Sequence, residues 1–254
     1  MTIAVVTGAS SGIGKEFVRQ IAGKYSNITE IWAIARREDR LEELKFEIDS
    51  NTVTIRPIVC DLTNDRHLLE YKNLLIKYKP SIRILVNAAG YGIIGKFNEI
   101  DFNDNVGMCN LNITSLTKMI YLSIPYMHRN KSNIINLASS AAFLPQPSFA
   151  VYAATKSYVL SLSTALNKEF KDRGITVTAV CPGPVDTEFF DIAEKNTSVK
   201  LYKKMFKAKA DKVVSLALKD AYHGCHISVY GFSMKAFRFI CKVLPKNFIV
   251  KFVK

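Results

Sequence analysis

The sequence predicts an α/β fold in which helices cover both faces of a doubly wound parallel sheet. Six short apolar runs recur along the chain, and helix-like segments lie between them. Strand, helix and strand at this spacing form βαβ units, which place consecutive strands in parallel. Because no linker, repeat or composition break divides the chain, we expect a single domain over residues 1–254.

The apolar runs are the predicted strands, and the segments between them are helical or amphipathic. The strands cover residues 3–6, 28–35, 53–59, 82–86, 133–137 and 175–180. The intervening segments cover residues 7–23 (after a glycine-rich start), 36–48, 64–79, 102–127 and 149–172. Ligands of such sheets bind outside the carboxyl ends of the strands, so the residues after each run are the first candidates for a site.

A glycine-rich turn, Gly8-x-x-x-Gly12-x-Gly14, follows the first predicted strand. Gly8 permits a tight exit from the strand, Gly12 lets the backbone approach a pyrophosphate, and Gly14 lets the helix pack close to the sheet. The helix N-terminus offers free N–H groups and a positive dipole end to phosphate. The spacing differs from G-x-G-x-x-G, so an ordinary turn stays open as the alternative. The position of the turn favours a Rossmann-like nucleotide site.

The end of the second predicted strand, Ala35-Arg36-Arg37, indicates which dinucleotide binds. An acidic side chain there would accept a hydrogen bond from the ribose 2′-hydroxyl of NAD, but no carboxylate occurs before Glu38. Arg36 can pair with a 2′-phosphate, and Ala35 leaves nothing to repel it. We therefore predict NADP(H); the alternative is that the two arginines only cap a surface helix.

Tyr152 and Lys156 stand four residues apart in a predicted helix, so their side chains project from one face. A nearby ammonium favours the phenolate, and it would lower the tyrosine pKa from about 10 towards neutrality. The sequence therefore predicts a proton-transfer pair. An exposed pair on a solvated helix face is the alternative reading of the spacing alone, and the upstream motifs favour the functional one.

Several motifs occur together in one order along the chain. They are TGASSGIG at 7–14, Asp61, NAAG at 87–90, Asn112 in LNIT, Ser139 in NLASS, YAATK at 152–156 and PGPVDT at 182–187. This set resembles the compact, single-domain branch of the short-chain dehydrogenase/reductases over about residues 2–230. One departure is Ala88, where that family most often has a second asparagine, and it affects a structural hydrogen bond more than the chemistry.

The resemblance implies roles for four catalytic residues. Tyr152 would be the general acid/base, and Lys156 would lower its pKa while holding the nicotinamide ribose. Ser139 would orient the substrate oxygen, and Asn112 would maintain a water-linked proton relay to Lys156. The implied activity is hydride transfer between NADP(H) and a ketone or secondary alcohol.

The resemblance also implies that Asp61 holds the adenine, and that Thr187 with the backbone near Val185 holds the carboxamide. Together with the glycine turn and Arg36, the predicted cofactor-binding residues are Gly8, Ser10, Ser11, Gly12, Ile13, Gly14, Arg36, Asp61, Leu62, Asn87, Ala88, Ala89, Gly90, Tyr152, Lys156, Pro182, Gly183, Val185 and Thr187.

Two other functions are possible for a chain with these motifs. A non-catalytic NADP-binding regulatory or scaffold protein is disfavoured because all four catalytic positions are intact. An epimerase or dehydratase usually has a different glycine spacing and a longer substrate domain.

Residues 186–209 follow the cofactor-contacting turn, and in the family this region is a lid over the substrate. The lid and neighbouring loops are rich in apolar residues, which suggests a lipophilic carbonyl such as a steroid or a fatty ketone. These residues are Phe189, Phe190, Ile192, Leu201, Tyr202, Met205 and Phe206 in the lid, with Tyr91, Ile93, Ile94, Phe143, Leu144 and Phe149 outside it. The alternative is that they simply pack the lid.

The net charge of +13 is concentrated in the last quarter of the chain. Residues 195–254 contain 14 Lys/Arg against Asp211 and Asp220. The C-terminal extension, residues 232–254, mixes aromatic and aliphatic residues with six Lys/Arg and no acid. We favour docking of this segment on its own domain or on a second subunit over contact with an anionic membrane surface. Nucleic acid is not expected, because the aromatic residues alternate with aliphatic ones as in a packing face.

The cysteines and the N-terminus bear on the expected location. The 5 cysteines are scattered without a C-x-x-C, which indicates a reducing compartment. The first apolar run begins near Met1 and leaves no room for a signal peptide, and no apolar run of about 18 residues occurs. We therefore expect a cytoplasmic location. We also expect a homo-oligomer, a dimer or a tetramer. His223 and His226 flank Cys225 without a partner cluster, so no metal is predicted.

Overall fold

The computed structural model describes residues 1–49, 52–194 and 207–251, and these residues build one parallel sheet with helices on both faces. The strands are β1 (Thr2–Thr7), β2 (Glu30–Ala35), β3 (Thr54–Val59), β4 (Ser81–Asn87), β5 (Ser132–Leu137), β6 (Ile175–Val180) and β7 (Ile227–Ser228). Their order in the sheet is β3-β2-β1-β4-β5-β6-β7. The chain therefore reverses direction across the sheet at β1 and β4, which places a crevice at their carboxyl ends. This architecture confirms the predicted fold class.

The helices alternate with the strands in sequence. Those of the described residues are α1 (Gly12–Lys24), α2 (Glu38–Ile48), α3 (Asp65–Tyr78), α4 (Phe102–Cys109), α5 (Leu116–Ser123), α6 (Ala150–Glu169), α7 (Phe189–Ala193), α8 (Ala210–Tyr222), α9 (Phe232–Val243) and α10 (Lys246–Val250). No helix within residues 1–49, 52–194 and 207–251 is long and apolar enough to cross a membrane.

Two hydrophobic cores lie on the two faces of the sheet, because successive side chains of a strand point to opposite sides. In β1, Ile3 and Val5 join one core, whereas Ala4 and Val6 join the other. The first core is covered by α3, α5 and α6, and the second by α1, α2 and α8. Strands buried on both faces explain why the predicted runs are continuously apolar.

The described structure departs from the prediction in two places. The predicted continuous segment 102–127 is divided into α4, a π-helical turn at Asn110–Ser115, α5 and a 3₁₀ turn at Ile124–Tyr126. The seventh strand, β7, has 2 residues and is too short to give a periodic signal. Residues 195–206 of the predicted lid lie outside the described residues.

The glycine turn after β1 depends on close backbone contacts. Gly8 has a φ of +68°, and an added Cβ would lie 2.8 Å from the backbone nitrogen of Ala89. A Cβ added to Gly14 would lie well inside contact distance of the Gly8 carbonyl oxygen. The start of α1 can therefore approach the end of β1 only because neither position carries a side chain.

We predict that Gly14→Ala lowers the free energy of unfolding by about 1–3 kcal/mol, because its methyl group must displace the Gly8 backbone. Gly23, in the same helix, provides the matched control, since an added Cβ there meets nothing within 4 Å. Gly23→Ala should be neutral or stabilising by up to about 1 kcal/mol, as expected for helix propensity. Urea denaturation of both variants measures the difference. Equal effects would contradict the close approach.

Candidate active site

Tyr152 and Lys156 lie one turn apart on α6, and both side chains are buried. Their residues are 6% and 4% exposed, respectively. Lys156 Nζ donates a hydrogen bond to the Leu137 carbonyl oxygen at 2.6 Å, at the end of β5. The same Nζ lies 5.6 Å from the centroid of the Tyr152 ring. The structure therefore brings the predicted pair together inside the protein, not on a solvated helix face.

Burial controls the pKa of both groups. Burial raises the pKa of Tyr152 to about 12, although a hydrogen bond with the Ser139 side chain acts in the opposite direction. Burial lowers the pKa of Lys156 to about 8. The lowered tyrosine pKa expected from the neighbouring ammonium is therefore wrong for the uncomplexed chain. Desolvation outweighs the ammonium, whose nitrogen donates a hydrogen bond to the Leu137 carbonyl oxygen and lies over the ring, 5.6 Å from its centroid.

Ser139 lies just beyond β5, next to Tyr152, as the resemblance implies. Its hydroxyl oxygen accepts a hydrogen bond from the Ala141 backbone N–H at 3.1 Å, which begins a short 3₁₀ turn. The following N–H, of Ser140, donates to the Pro182 carbonyl oxygen at 2.8 Å. This bond joins the Ser139 loop to the predicted carboxamide-binding turn.

Asn112 lies in the π-helical turn between α4 and α5. Its Oδ1 accepts from the Tyr91 backbone N–H at 3.1 Å, and its Nδ2 donates to the Tyr91 carbonyl oxygen at 2.9 Å. Nδ2 also donates to Thr155 Oγ1 at 3.1 Å, and Thr155 directly precedes Lys156. A Cβ added to Gly90 would lie 2.8 Å from Asn112 Oδ1 and 3.4 Å from Lys156 Nζ. Both side chains thus approach the same point of the backbone, and a relay between them stays a prediction.

Aromatic residues surround the Tyr152 ring. Phe149 stacks on it with ring centroids 4.2 Å apart, and Phe189 of α7 lies at 5.5 Å. Among the residues predicted to favour an apolar substrate, Ile93, Phe143 and Leu144 are buried in the cores. Those three support the site by packing. The predicted lid residues Leu201, Tyr202, Met205 and Phe206 lie outside the described residues.

The glycine turn and the loop after β4 meet at the carboxyl edge of the sheet. Thr7 Oγ1 accepts from the backbone N–H groups of Ala88 and Ala89 at 3.1 and 3.2 Å. A Cβ added to Gly12 would lie 3.2 Å from the side chain of Thr187. The PGPVDT motif at residues 182–187 therefore lies against the glycine turn. Ser11, the N-cap of α1, makes no capping hydrogen bond with its side chain. The first-turn N–H groups of α1 therefore suit a pyrophosphate.

Buried polar atoms also fit a bound dinucleotide at this edge. Asn87, the last residue of β4, donates from Nδ2 to Asn136 Oδ1 at 2.9 Å. Within the described part of the chain, the buried Asn87 Oδ1 has no hydrogen-bond partner. An orphaned buried acceptor is costly unless a ligand or water satisfies it. Of the other predicted residues, Ser10 lies in the glycine turn, Ile13 in the first turn of α1, and Gly183 and Val185 in the loop after β6.

Asp61 follows β3 and organises its own turn. Its Oδ1 accepts from the backbone N–H and the hydroxyl of Thr63 at 2.9 and 2.7 Å. Burial raises the pKa of Asp61, but the bonds from Thr63 and the charge of Arg36 outweigh it and hold the pKa below its usual value. The carbonyl oxygen of the next residue, Leu62, accepts from Ser115 Oγ at 2.7 Å. The carboxylate is therefore charged and fixed beside the crevice.

Two arginines follow β2, and the second contacts the glycine turn. Arg37 Nε and Nη2 each lie 3.3 Å from Ser10 Oγ, and Arg37 Nη1 donates to Glu188 Oε2 at 3.0 Å. Arg40 lies 3.6 Å from the same carboxylate. Arg36 is exposed. The sequence analysis selects Arg36 but does not predict that Arg37 pairs with Glu188, because the two residues lie 151 positions apart in the chain.

No group of three or more His, Cys, Asp or Glu residues within the described ranges could hold a metal ion. Cys225, which His223 and His226 flank, is an exposed free thiol.

The amino-acid sequence of this chain is similar to those of known proteins. A family model described as short chain dehydrogenase matches residues 2–198. The human very-long-chain 3-oxoacyl-CoA reductase is 34% identical over 219 residues, which cover 84% of this chain and 68% of that protein.

Solved structures give the same fold with either cofactor. A short-chain dehydrogenase from Sphingobium yanoikuyae in complex with NADPH has a TM-score of 0.80 and 25% identity, covering 96% of both chains. A short-chain dehydrogenase/reductase from Burkholderia phymatum in complex with NAD has a TM-score of 0.81 and 20% identity, covering 94% of this chain and 92% of that one. The second likeness concerns the fold alone.

We predict that burial of Lys156 makes stability rise with pH between pH 8 and 10. In this window the folded chain has released a proton that the unfolded chain keeps, because the folded pKa is about 8 and the ordinary pKa of lysine is 10.5. The free energy of unfolding of the wild type should gain about 2 kcal/mol relative to Lys156→Met over this window. Urea denaturation at both pH values measures it, with Lys168→Met, an exposed lysine of α6, as the control. A difference that does not change with pH would contradict the burial of a titrating amine.

Proposed function

The chain belongs to the short-chain dehydrogenase/reductase family, and we propose that it interconverts a lipophilic ketone and a secondary alcohol with NADP(H). Membership of the family makes it an oxidoreductase with a nucleotide-binding fold. The observation that carries the finer proposal is the buried pair of Tyr152 and Lys156 at the carboxyl edge of the sheet, with Ser139 bonded to the tyrosine. The proposed enzyme is a single-domain, cytoplasmic homo-oligomer.

In the proposed mechanism, the chain positions the substrate and moves the proton. The bound cofactor supplies or accepts the hydride, which no side chain can do. As a carbonyl is reduced, negative charge develops on its oxygen, and the hydroxyls of Ser139 and Tyr152 are the donors that face it. Such donors can each contribute about 3 kcal/mol to the transition state. Tyr152 Oη then gives up its proton, and the ammonium of Lys156 favours the phenolate that remains.

The same proposal assigns the cofactor contacts. The first turn of α1, with Gly12 and Ser11, would hold the pyrophosphate through backbone N–H groups. Asp61 would hold the adenine, and Lys156 the nicotinamide ribose. Thr187, with the backbone near Val185, would hold the carboxamide. This assignment is supported by the convergence of these segments at one edge of the sheet.

Preference for NADP(H) is supported by the positive charge beside the glycine turn. Arg36 and Arg37 directly follow β2, and no acidic residue occurs there before Glu38. Arg37 already contacts Ser10 of the glycine turn. Two guanidinium groups suit a 2′-phosphate, which they can bind in a bidentate manner. We propose that Arg36 and Arg37 bind this phosphate together, and that Glu188 must release Arg37 to permit it.

A lipophilic substrate is supported by the aromatic surroundings of the Tyr152 hydroxyl. Phe149 and Phe189 flank its ring, and the similar human protein is a very-long-chain 3-oxoacyl-CoA reductase. Assembly into a homo-oligomer is supported by large apolar side chains exposed on α4 and α5, among them Phe102 and Tyr121. Exposed apolar residues on adjoining helices suit a contact with another subunit.

We predict that Tyr152→Phe lowers turnover by a factor of roughly 100 or more while NADPH binding persists, because the ring and its packing remain and only the proton donor is lost. The measurement is NADPH consumption with steroid ketones, fatty ketones and 3-oxoacyl thioesters, against small ketones. NADPH binding is followed by fluorescence. A fully active variant would refute the assignment. A wild type that binds NADPH but reduces none of the panel would favour the non-catalytic alternative.

We predict that Glu188→Gln tightens NADP⁺ binding about fivefold and leaves NAD⁺ binding unchanged, because it removes one charge that competes with the 2′-phosphate for Arg37. Arg37→Ala should weaken NADP⁺ binding alone. Glu47 supplies the matched control, since its carboxylate pairs with Arg19 at a similar exposure on the far end of α2. Titration of both dinucleotides measures the ratio. Weaker NADP⁺ binding by Glu188→Gln would contradict this competition and indicate that Glu188 positions Arg37 for the phosphate.

A further inference from the structure

The helix α9 docks on the domain through one face only. Met234 lies against Gly183, where an added Cβ would be 2.7 Å from its sulfur. The ring of Phe237 lies 6.3 Å from that of Phe143, and Cys241 is buried. These three residues of α9 are spaced by three and four positions, which places them on one side of the helix. One side of α9 therefore docks on its own domain, as the sequence analysis favours, and the other side does not.

The opposite side of α9 is also apolar, and it is exposed. Phe232 is 88% exposed, Phe239 67% and Val243 62%. They are spaced by seven and four positions and lie on the side away from Met234 and Cys241. We call these residues, with their exposed neighbours, the outer face; its members are Phe232, Phe239, Ile240, Val243 and Leu244. A contiguous apolar surface of this kind marks a binding site more often than a solvated one.

The charged side chains of the segment that carries the outer face all have one sign. Between residues 231 and 251 the charged side chains are Lys235, Arg238, Lys242, Lys246 and Lys251, with no acidic residue. A symmetric contact with a second copy would pair this basic surface with itself, because a twofold interface joins the same patch on both subunits. Charge complementarity therefore requires an anionic occupant. Aliphatic side chains such as Ile240 and Val243 cannot stack on bases, which disfavours nucleic acid.

We propose that the outer face binds the surface of an anionic lipid bilayer, with its aromatic and aliphatic side chains among the lipid headgroups and acyl boundary. Lysines beside exposed phenylalanines on one helix are the pattern of an interfacial segment. The helix has 12 residues, so it is about 18 Å long and shorter than the roughly 30 Å hydrocarbon core. It therefore lies along the surface. The proposal is independent of the reaction that the enzyme catalyses.

The test is sedimentation of the full chain with vesicles of phosphatidylcholine alone or with about 30% phosphatidylglycerol, at about 0.15 M salt. We expect binding to the anionic vesicles to be roughly tenfold stronger than to the neutral ones, and to weaken at about 0.5 M salt. The double variant Phe232→Ser/Phe239→Ser should lose roughly tenfold in binding to the anionic vesicles. Its melting temperature should stay at the wild-type value, because both side chains are exposed.

Phe46 provides the matched control, since it is 93% exposed on α2, away from the C-terminal segment. Phe46→Ser should bind vesicles as the wild type does. Equal binding of the wild type to neutral and anionic vesicles, or full binding by the double variant, would overturn the proposal. So would an absence of vesicle binding together with a wild-type dimer that the double variant disrupts, because the occupant would then be a second copy.

Discussion

The buried ammonium of Lys156 is the constraint on which the geometry of the candidate site depends. An amine removed from water needs an acceptor, and the Leu137 carbonyl at the end of β5 supplies one at 2.6 Å. That bond fixes α6 against the carboxyl edge of the sheet, and with it Tyr152 one turn earlier. The approach also requires Gly90, where a Cβ would crowd both Lys156 Nζ and Asn112 Oδ1.

The strand order explains why residues far apart in the sequence meet around this amine. β1, β4, β5 and β6 are neighbours, so the loops at their carboxyl ends adjoin each other. Thr7 accepts hydrogen bonds from the loop after β4, and Ser140 donates one to Pro182 after β6. Each loop is thus held by its neighbour, and the backbone groups that face a dinucleotide are fixed before it binds.

Local signals explain how much of this could be predicted. Apolar runs and glycine positions identify the strands and the first turn because both depend on residues close in sequence. The π-helical turn at Asn110–Ser115 depends instead on tertiary hydrogen bonds, such as those of Asn112 to Tyr91, and helix periodicity does not reveal it. The contact of Arg37 could not be predicted for the same reason, because its partner Glu188 lies 151 positions later in the chain.

The spacing of Tyr152 and Lys156 correctly predicts proximity, but it cannot predict which electrostatic effect is larger. Burial raises the pKa of the phenol to about 12 and lowers that of the amine to about 8. Around neutral pH, the chain therefore keeps the proton on Tyr152, where the proposed carbonyl reduction needs it. Lys156 also remains mostly protonated there, and its Nζ lies 5.6 Å from the centroid of the Tyr152 ring. Desolvation, which opposes both charges at rest, thus strengthens their attraction at the moment when the phenolate forms.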